Sequence, residues 1–132
     1  MVVKRTKWEL VVMSECRDIL KKHPKLKKRK LHKMKNLDKR LYYLKVWSIT
    51  ESNPLHKLKH FKKRGFSRRQ YHLDHIFPIS VAFVEGIPPE VIGDMRNLQF
   101  ILGSKNIKKG NTVTYKAKLL INEIKRCKGI LN

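Results

Sequence analysis

Acidic residues are scarce in this 132-residue sequence: ten Asp and Glu stand against 32 Lys and Arg, for a formal net charge of +22. A charge of that size repels itself and favours a polyanionic partner, with nucleic acid first among the candidates. An anionic membrane is the rival. No run of about 18 apolar residues is present to span one, and no signal-peptide core follows Met1. The expectation is a soluble, intracellular protein of the cytoplasm that is not secreted. Cysteine is nearly missing too. Cys16 and Cys127 stand alone at opposite ends, which excludes a CxxC zinc site and a disulfide framework and leaves buried or free thiols.

What is present is enough for one modest core, since 41% of the residues are hydrophobic. From Lys7 to Leu20, Trp8, Val11, Val12, Cys16, Ile19 and Leu20 recur at helical spacing and predict an amphipathic helix that Pro24 ends. The run KKHPKLKKRKLHKMK, Lys21 to Lys35, carries nine Lys or Arg and no acid. It reads as a solvated or phosphate-facing segment in which Leu26 and Leu31 have little to bury. A second helical pattern, LDKRLYYLKVW, could place Leu37, Leu41, Tyr42 and Leu44 on one face. SNP at Ser52 to Pro54 marks a joint. After the basic run KLKHFKKRGFSRR come a strand at YHLDHI, a helix start near Pro88 and a strand at NLQFIL. A helix at SKNIKKGN then breaks at Gly110, and a last helix has Leu119, Ile121 and Ile124 as inward candidates.

The lack of acid sharpens attention on one residue. Between Glu51 and Glu85 the sole acidic side chain is Asp74, inside YHLDHIFPIS. Its plain reading is an ion pair with Arg68 or Arg69. The alternative is that it holds a ligand, and its neighbours bear on the choice. LDHIFPIS is followed by MRNLQFIL and GSKNIKKGN, so that Asn97 comes 22 residues after His75 and Asn106 another 9 on.

Those three pieces resemble the HNH nuclease family. Its ββα-metal motif has an Asp-His or His-His pair on the first strand, an Asn before the second, and a final His or Asn on the helix. The likeness covers about Arg64 to Gly110. It is similar above all to small phage-encoded and homing-type HNH endonucleases, and to the HNH domain of CRISPR effector nucleases, where an asparagine also takes the last position. The resemblance implies an α+β protein with a ββα-metal core at residues 64–132, preceded by a helical, lysine-rich DNA-binding extension at 1–63, the two forming one compact unit. It also implies a metal-dependent endonuclease acting on double-stranded DNA, in the host cytoplasm if phage-encoded, and leaving a 5′ phosphate and a 3′ hydroxyl. A single site of this kind cuts one strand, so a homodimer is one route to cutting both.

Phosphodiester hydrolysis needs a delivered nucleophile, neutralised charge on the pentavalent transition state and help for the departing oxygen. Asp74 and Asn106 supply an anionic and a neutral oxygen suited to one Mg²⁺ or Mn²⁺. By the resemblance His75 is the general base, and Asn97 holds the histidine-bearing strand without touching the ion. An imidazole with an ordinary pKa near 6.5 is suited to the first task. Lys105, Lys108, Lys109, Arg64, Arg68 and Arg69 are candidate phosphate contacts. His72 lies on the strand face of Asp74 and is assigned to phosphate or to support of the site, with direct ligation a further option. An ordinary exposed helix residue is the lesser alternative for Asn106, and Tyr42, Tyr43 and Trp47 are expected in the core rather than stacked on bases. His23, His32, His56 and His60 fit no ligand spacing and are expected to be solvated.

Two alternatives stay open: a non-catalytic basic nucleic-acid-binding protein, and a degenerate HNH domain that binds without cutting. One geometric liability is also visible. Neighbours on a regular strand face apart, so Asp74 and His75 need a twist or a bulge to serve one phosphate.

Overall fold

The computed structural model describes residues 4–130 and is an α+β arrangement of helices around one two-stranded antiparallel sheet. Helix α1 spans Lys7–Lys22 and starts at a capping box. Thr6 Oγ1 accepts from the Glu9 amide at 3.1 Å, and the Glu9 carboxylate accepts from the Thr6 amide at 3.2 Å. It buries Val12 and Cys16, whereas Trp8 and Val11, expected inward, are exposed. The apolar stripe is therefore narrower than the periodicity suggested, because α1 packs chiefly against α2, with a smaller contact to the 3₁₀ turn that follows it.

Pro24 turns the chain into two 3₁₀ segments, Pro24–Arg29 and Leu31–Lys33. Here the expectation of a wholly solvated run is corrected: Leu26 is only 2% exposed and joins the core, anchoring lysines that face outward.

Helix α2, Leu37–Glu51, is capped by Asn36, whose Oδ1 accepts from the Lys39 amide at 3.0 Å. It buries Leu37, Leu44, Val46, Trp47 and Thr50 and packs against α1 and the two short helices α3 (Ile79–Glu85) and α4 (Pro89–Ile92). Gly93 follows α4 because a Cβ there would lie 2.8 Å from an Ile49 methyl and 3.1 Å from the Val46 carbonyl. One continuous hydrophobic cluster thus runs from Val12 to Ile124 and joins the two halves of the chain.

Strands β1 (Tyr71–His75) and β2 (Leu98–Leu102) form the hairpin, and helix α5 (Gly103–Lys109) follows β2 directly. Gly103 lets α5 turn tightly, since a Cβ would meet the Ser67 carbonyl at 2.5 Å and His72 Nε2 at 2.6 Å. Helix α6, Tyr115–Cys127, closes the core with Ala117, Ile121 and Ile124, while Leu119 is exposed rather than inward. Both cysteines are free thiols, Cys16 buried and Cys127 exposed. No helix among the described residues is long and apolar enough to cross a membrane.

Candidate functional site

The β1 and β2 register runs without a bulge through five pairs, with Asp74 opposite Gln99 and His75 opposite Leu98. Alternation therefore holds, and the two side chains enter different surroundings.

Asp74 lies on the α5 side. Its Oδ2 accepts from Gln99 Nε2 and its Oδ1 from the Lys109 ammonium, at 2.8 and 2.9 Å. At 8% exposure this carboxylate is buried. Its ion-pair partner is Lys109 rather than Arg68 or Arg69, both of which are exposed. Lys109 also donates to the His75 carbonyl at 2.9 Å, clamping the last residues of β1 to the end of α5. One turn earlier on α5, Asn106 Nδ2 lies 3.2 Å from His72 Nδ1, and His72 Nε2 lies 2.9 Å from the Ser67 carbonyl. His72, Asp74, Asn106 and Lys109 thus share one side of the hairpin.

His75 lies on the α2 side. Its Nε2 is 2.8 Å from Thr50 Oγ1, and Trp47 meets the ring edge-on at 4.8 Å between centroids. The Arg29 guanidinium covers the other partner in this stack, 3.3 Å from the Trp47 ring centre. Burial, followed by the charges of Arg29 and Lys109, pulls the imidazole from its ordinary value of 6.5 down to about 3. The ring is neutral at any pH near 7.

Asn97, fully buried, ties down the connection between the strands. Its Oδ1 accepts from the Phe77 amide at 2.8 Å, and its Nδ2 donates to the Ile92 carbonyl at 2.9 Å and to that of Phe77 at 3.3 Å. The Asn97 carbonyl accepts from the Ile76 amide at 2.8 Å. One side chain therefore fixes both ends of a connection that carries α3 and α4.

Although Asp74 and His75 face apart, both line one cavity of about 230 Å³, with Trp47, Ser80, Lys109 and Asn111. His75 is the last strand residue, so the cavity reaches round the hairpin end to both. Asn106 and His72 lie outside its lining. Lys105 and Lys108 are exposed on α5, while Arg64 is committed to Glu51 at 2.5 Å. Among the other histidines, His60 is not simply solvated: it stacks on Tyr71 with ring centres 4.0 Å apart. His32 is half-buried, with Nδ1 enclosed.

Among the described residues, no three His, Cys, Asp or Glu side chains converge as a metal cage. The donors on the α5 side are one carboxylate, the two amides of Asn106 and Gln99, and one imidazole, which in kind suit a hard divalent ion that keeps several waters. Asp74 Oδ1 already holds a cation, the Lys109 ammonium. An ion on that oxygen would compete with it.

Comparison with protein-family models, with curated proteins and with solved structures finds no match to this chain. The site thus stands on its own geometry. That geometry adds Thr50, Gln99 and Arg29, which the sequence reading did not single out. Gln99 had a signal, being two residues after Asn97 on the paired strand; Thr50 and Arg29 reach the site through tertiary packing alone.

Proposed function

We propose that the chain is a divalent-metal-dependent endonuclease of the HNH type acting on DNA. The observation that carries this reading is the hairpin followed by α5, with its connection tied by Asn97, which brings Asp74, His75 and Lys109 to one cavity. A surface ion pair with Arg68 or Arg69 does not describe Asp74, whose carboxylate is buried and held by Lys109 and Gln99 beside the cavity.

In this reading Asp74 and Asn106 would hold one Mg²⁺ or Mn²⁺, with His72 beside Asn106. When bound, the ion would offset negative charge on the phosphate and assist the departing 3′ oxygen. Lys109 releases Asp74 and carries its ammonium to a phosphate oxygen. His75 is already neutral and ready to accept a proton from water. With its pKa held near 3 it is a weak base, so a phosphate must come against the ring and raise its basicity for the step to run. Thr50 and Trp47 fix the ring's plane, and Asn97 fixes the strand that carries it. Arg68, Arg69, Lys105 and Lys108 face solvent, where a DNA backbone can reach them.

The test is plasmid nicking with Mg²⁺, Mn²⁺ or EDTA. Cutting should require metal and fall by about 100-fold or more in His75→Ala, the ordinary contribution of a general base. Intact plasmid with every metal would remove the enzymatic reading. A second reading has two observations in its favour: the Lys109–Asp74 pair and the depressed basicity of His75 also suit a domain that binds DNA without cutting. Binding without metal-dependent nicking would select it.

A further inference from the structure

A second cavity is larger than the one at His75. It measures about 560 Å³ and opens between the Pro24–Arg29 turn and the loop before β1. Lys22, Lys25, Lys28, Arg29 and Arg64 line it, with Glu51 as the acidic member. Glu51 is occupied: its carboxylate takes Arg64 at 2.5 and 3.3 Å and lies 3.7 Å from Arg29. Lys22, Lys25 and Lys28 form no ion pair among the described residues. The cavity is therefore built to hold negative charge.

Phe66 stands at its rim, 82% exposed. It is not on a loose loop. The Phe66 and Ser67 amides both donate to Gln70 Oε1 at 3.1 Å, and Gly65 lies so close to the Gln70 side chain that a Cβ would sit 2.1 Å from it. An aromatic ring held out to solvent by a tied loop, beside a cationic hollow, is the pairing that binds unpaired nucleotides: charge for the backbone, a face for the base. The location suits the site already described. Arg29 lines this cavity and Trp47 lines the one at His75, and the two side chains are stacked on each other.

We propose that this basic cavity binds an unpaired nucleotide of the DNA strand, its phosphate on Lys25, Lys28 and Arg29 and its base on Phe66, one stacked pair away from His75. The inference rests on the nucleic-acid partner proposed above, and not on cutting. A strand seated there is led over the Arg29–Trp47 wall toward the other cavity, so the chain grips a locally opened duplex rather than a closed one.

Fluorescence anisotropy in EDTA separates binding from cleavage. The full chain is titrated against a labelled single strand and against the same sequence as duplex, over a range of salt. Lys25→Glu with Lys28→Glu is compared with Lys116→Glu and Lys118→Glu, the same charge change on α6. The cavity pair should weaken single-strand binding by about 10-fold or more and flatten its salt dependence, since each lost phosphate contact removes about 0.7 from the slope. The α6 pair should cost about 3-fold at most. Phe66→Ala should lose at least about 5-fold on the single strand, the usual worth of one stacked base, and less than 2-fold on the duplex. Equal losses from both charge pairs would overturn the cavity, and an unchanged single-strand affinity in Phe66→Ala would overturn the base platform. Absence of nicking in the plasmid assay leaves both results standing, so the two proposals fail separately.

Discussion

Two acidic side chains, Asp74 and Glu51, organise the two cavities in opposite ways. Around Asp74 the framework is buried and mostly neutral: Gln99, Asn97 and Thr50 supply fixed hydrogen bonds, and a single ammonium answers the carboxylate. Around Glu51 cations outnumber the acid, and the lysines sit on a short 3₁₀ turn facing solvent. The first arrangement holds atoms in place, which is what chemistry on a bond requires. The second accumulates charge, which gives affinity that salt can dissolve. A chain with both can separate gripping from reacting.

Removing the neutral framework should therefore damage one region and spare the other. Asn97→Ala strips hydrogen bonds from the Phe77 amide and from the Phe77 and Ile92 carbonyls, all enclosed, and leaves a small void. At about 1–3 kcal/mol for each buried group left unsatisfied, a loss of about 4 kcal/mol is expected, read as a lower urea midpoint. Below that midpoint the salt-dependent DNA affinity should persist, because the lysines of the Pro24–Arg29 turn face solvent on a different element from the one Asn97 ties. A variant as stable as the parent would show that the connection is fixed by other contacts.

Protonation tests the same contrast through His75. Its folded value lies near 3 against 6.5 in the unfolded chain. In the interval between, the unfolded state takes up the proton and the folded state does not. Stability is full above pH 6.5 and declines as pH falls toward 3. Between pH 7 and pH 4 the expected loss from this group is about 3 kcal/mol, at about 1.4 kcal/mol per unit. Urea unfolding at both pH values, in the parent and in His75→Asn, isolates it: the variant should lose less on acidification. Identical losses would mean that His75 is charged in the folded protein or reached by water.

These contrasts also mark what could be read before the structure. The hairpin, its helix and the turn at Pro24 were legible, because alternation, Gly110 and Pro24 each act over a few residues. Asp74, flanked by a charge desert of its own sign, stood out for the same reason. The partners of the site were not legible. Thr50 and Trp47 are one helical turn apart on α2, and only the folding of α2 against the hairpin tells that both meet His75. A twist or a bulge was expected to bring Asp74 and His75 together; the β1–β2 register carries no bulge, and a cavity at the strand's end touches both residues. Leu26 looked idle among lysines, yet its burial is what sets the lysine turn beside Glu51. Leu119 and Trp8 fit an inward stripe by spacing, but no neighbouring element covers them.

The smallest expected effect probes the second cavity from within. Glu51→Gln keeps the shape and removes one negative charge from among the cations of the hollow. Arg64 then loses a charge-assisted bond and Arg29, half-buried over Trp47, loses its nearest counter-charge. Arg64 becomes available to a phosphate and Arg29 no longer shares its charge with the carboxylate, so that the phosphate supplies the charge that the carboxylate supplied. Single-strand affinity should rise by about 2- to 5-fold at low salt, with a steeper salt dependence, since about one more phosphate contact can form. The same substitution should lower the folded stability slightly, because the half-buried Arg29 charge is unpaired until DNA binds. Tighter binding together with weaker folding is the signature of a carboxylate that stands in for a phosphate. Affinity that stays the same or falls would mean that Glu51 shapes the cavity rather than guarding it.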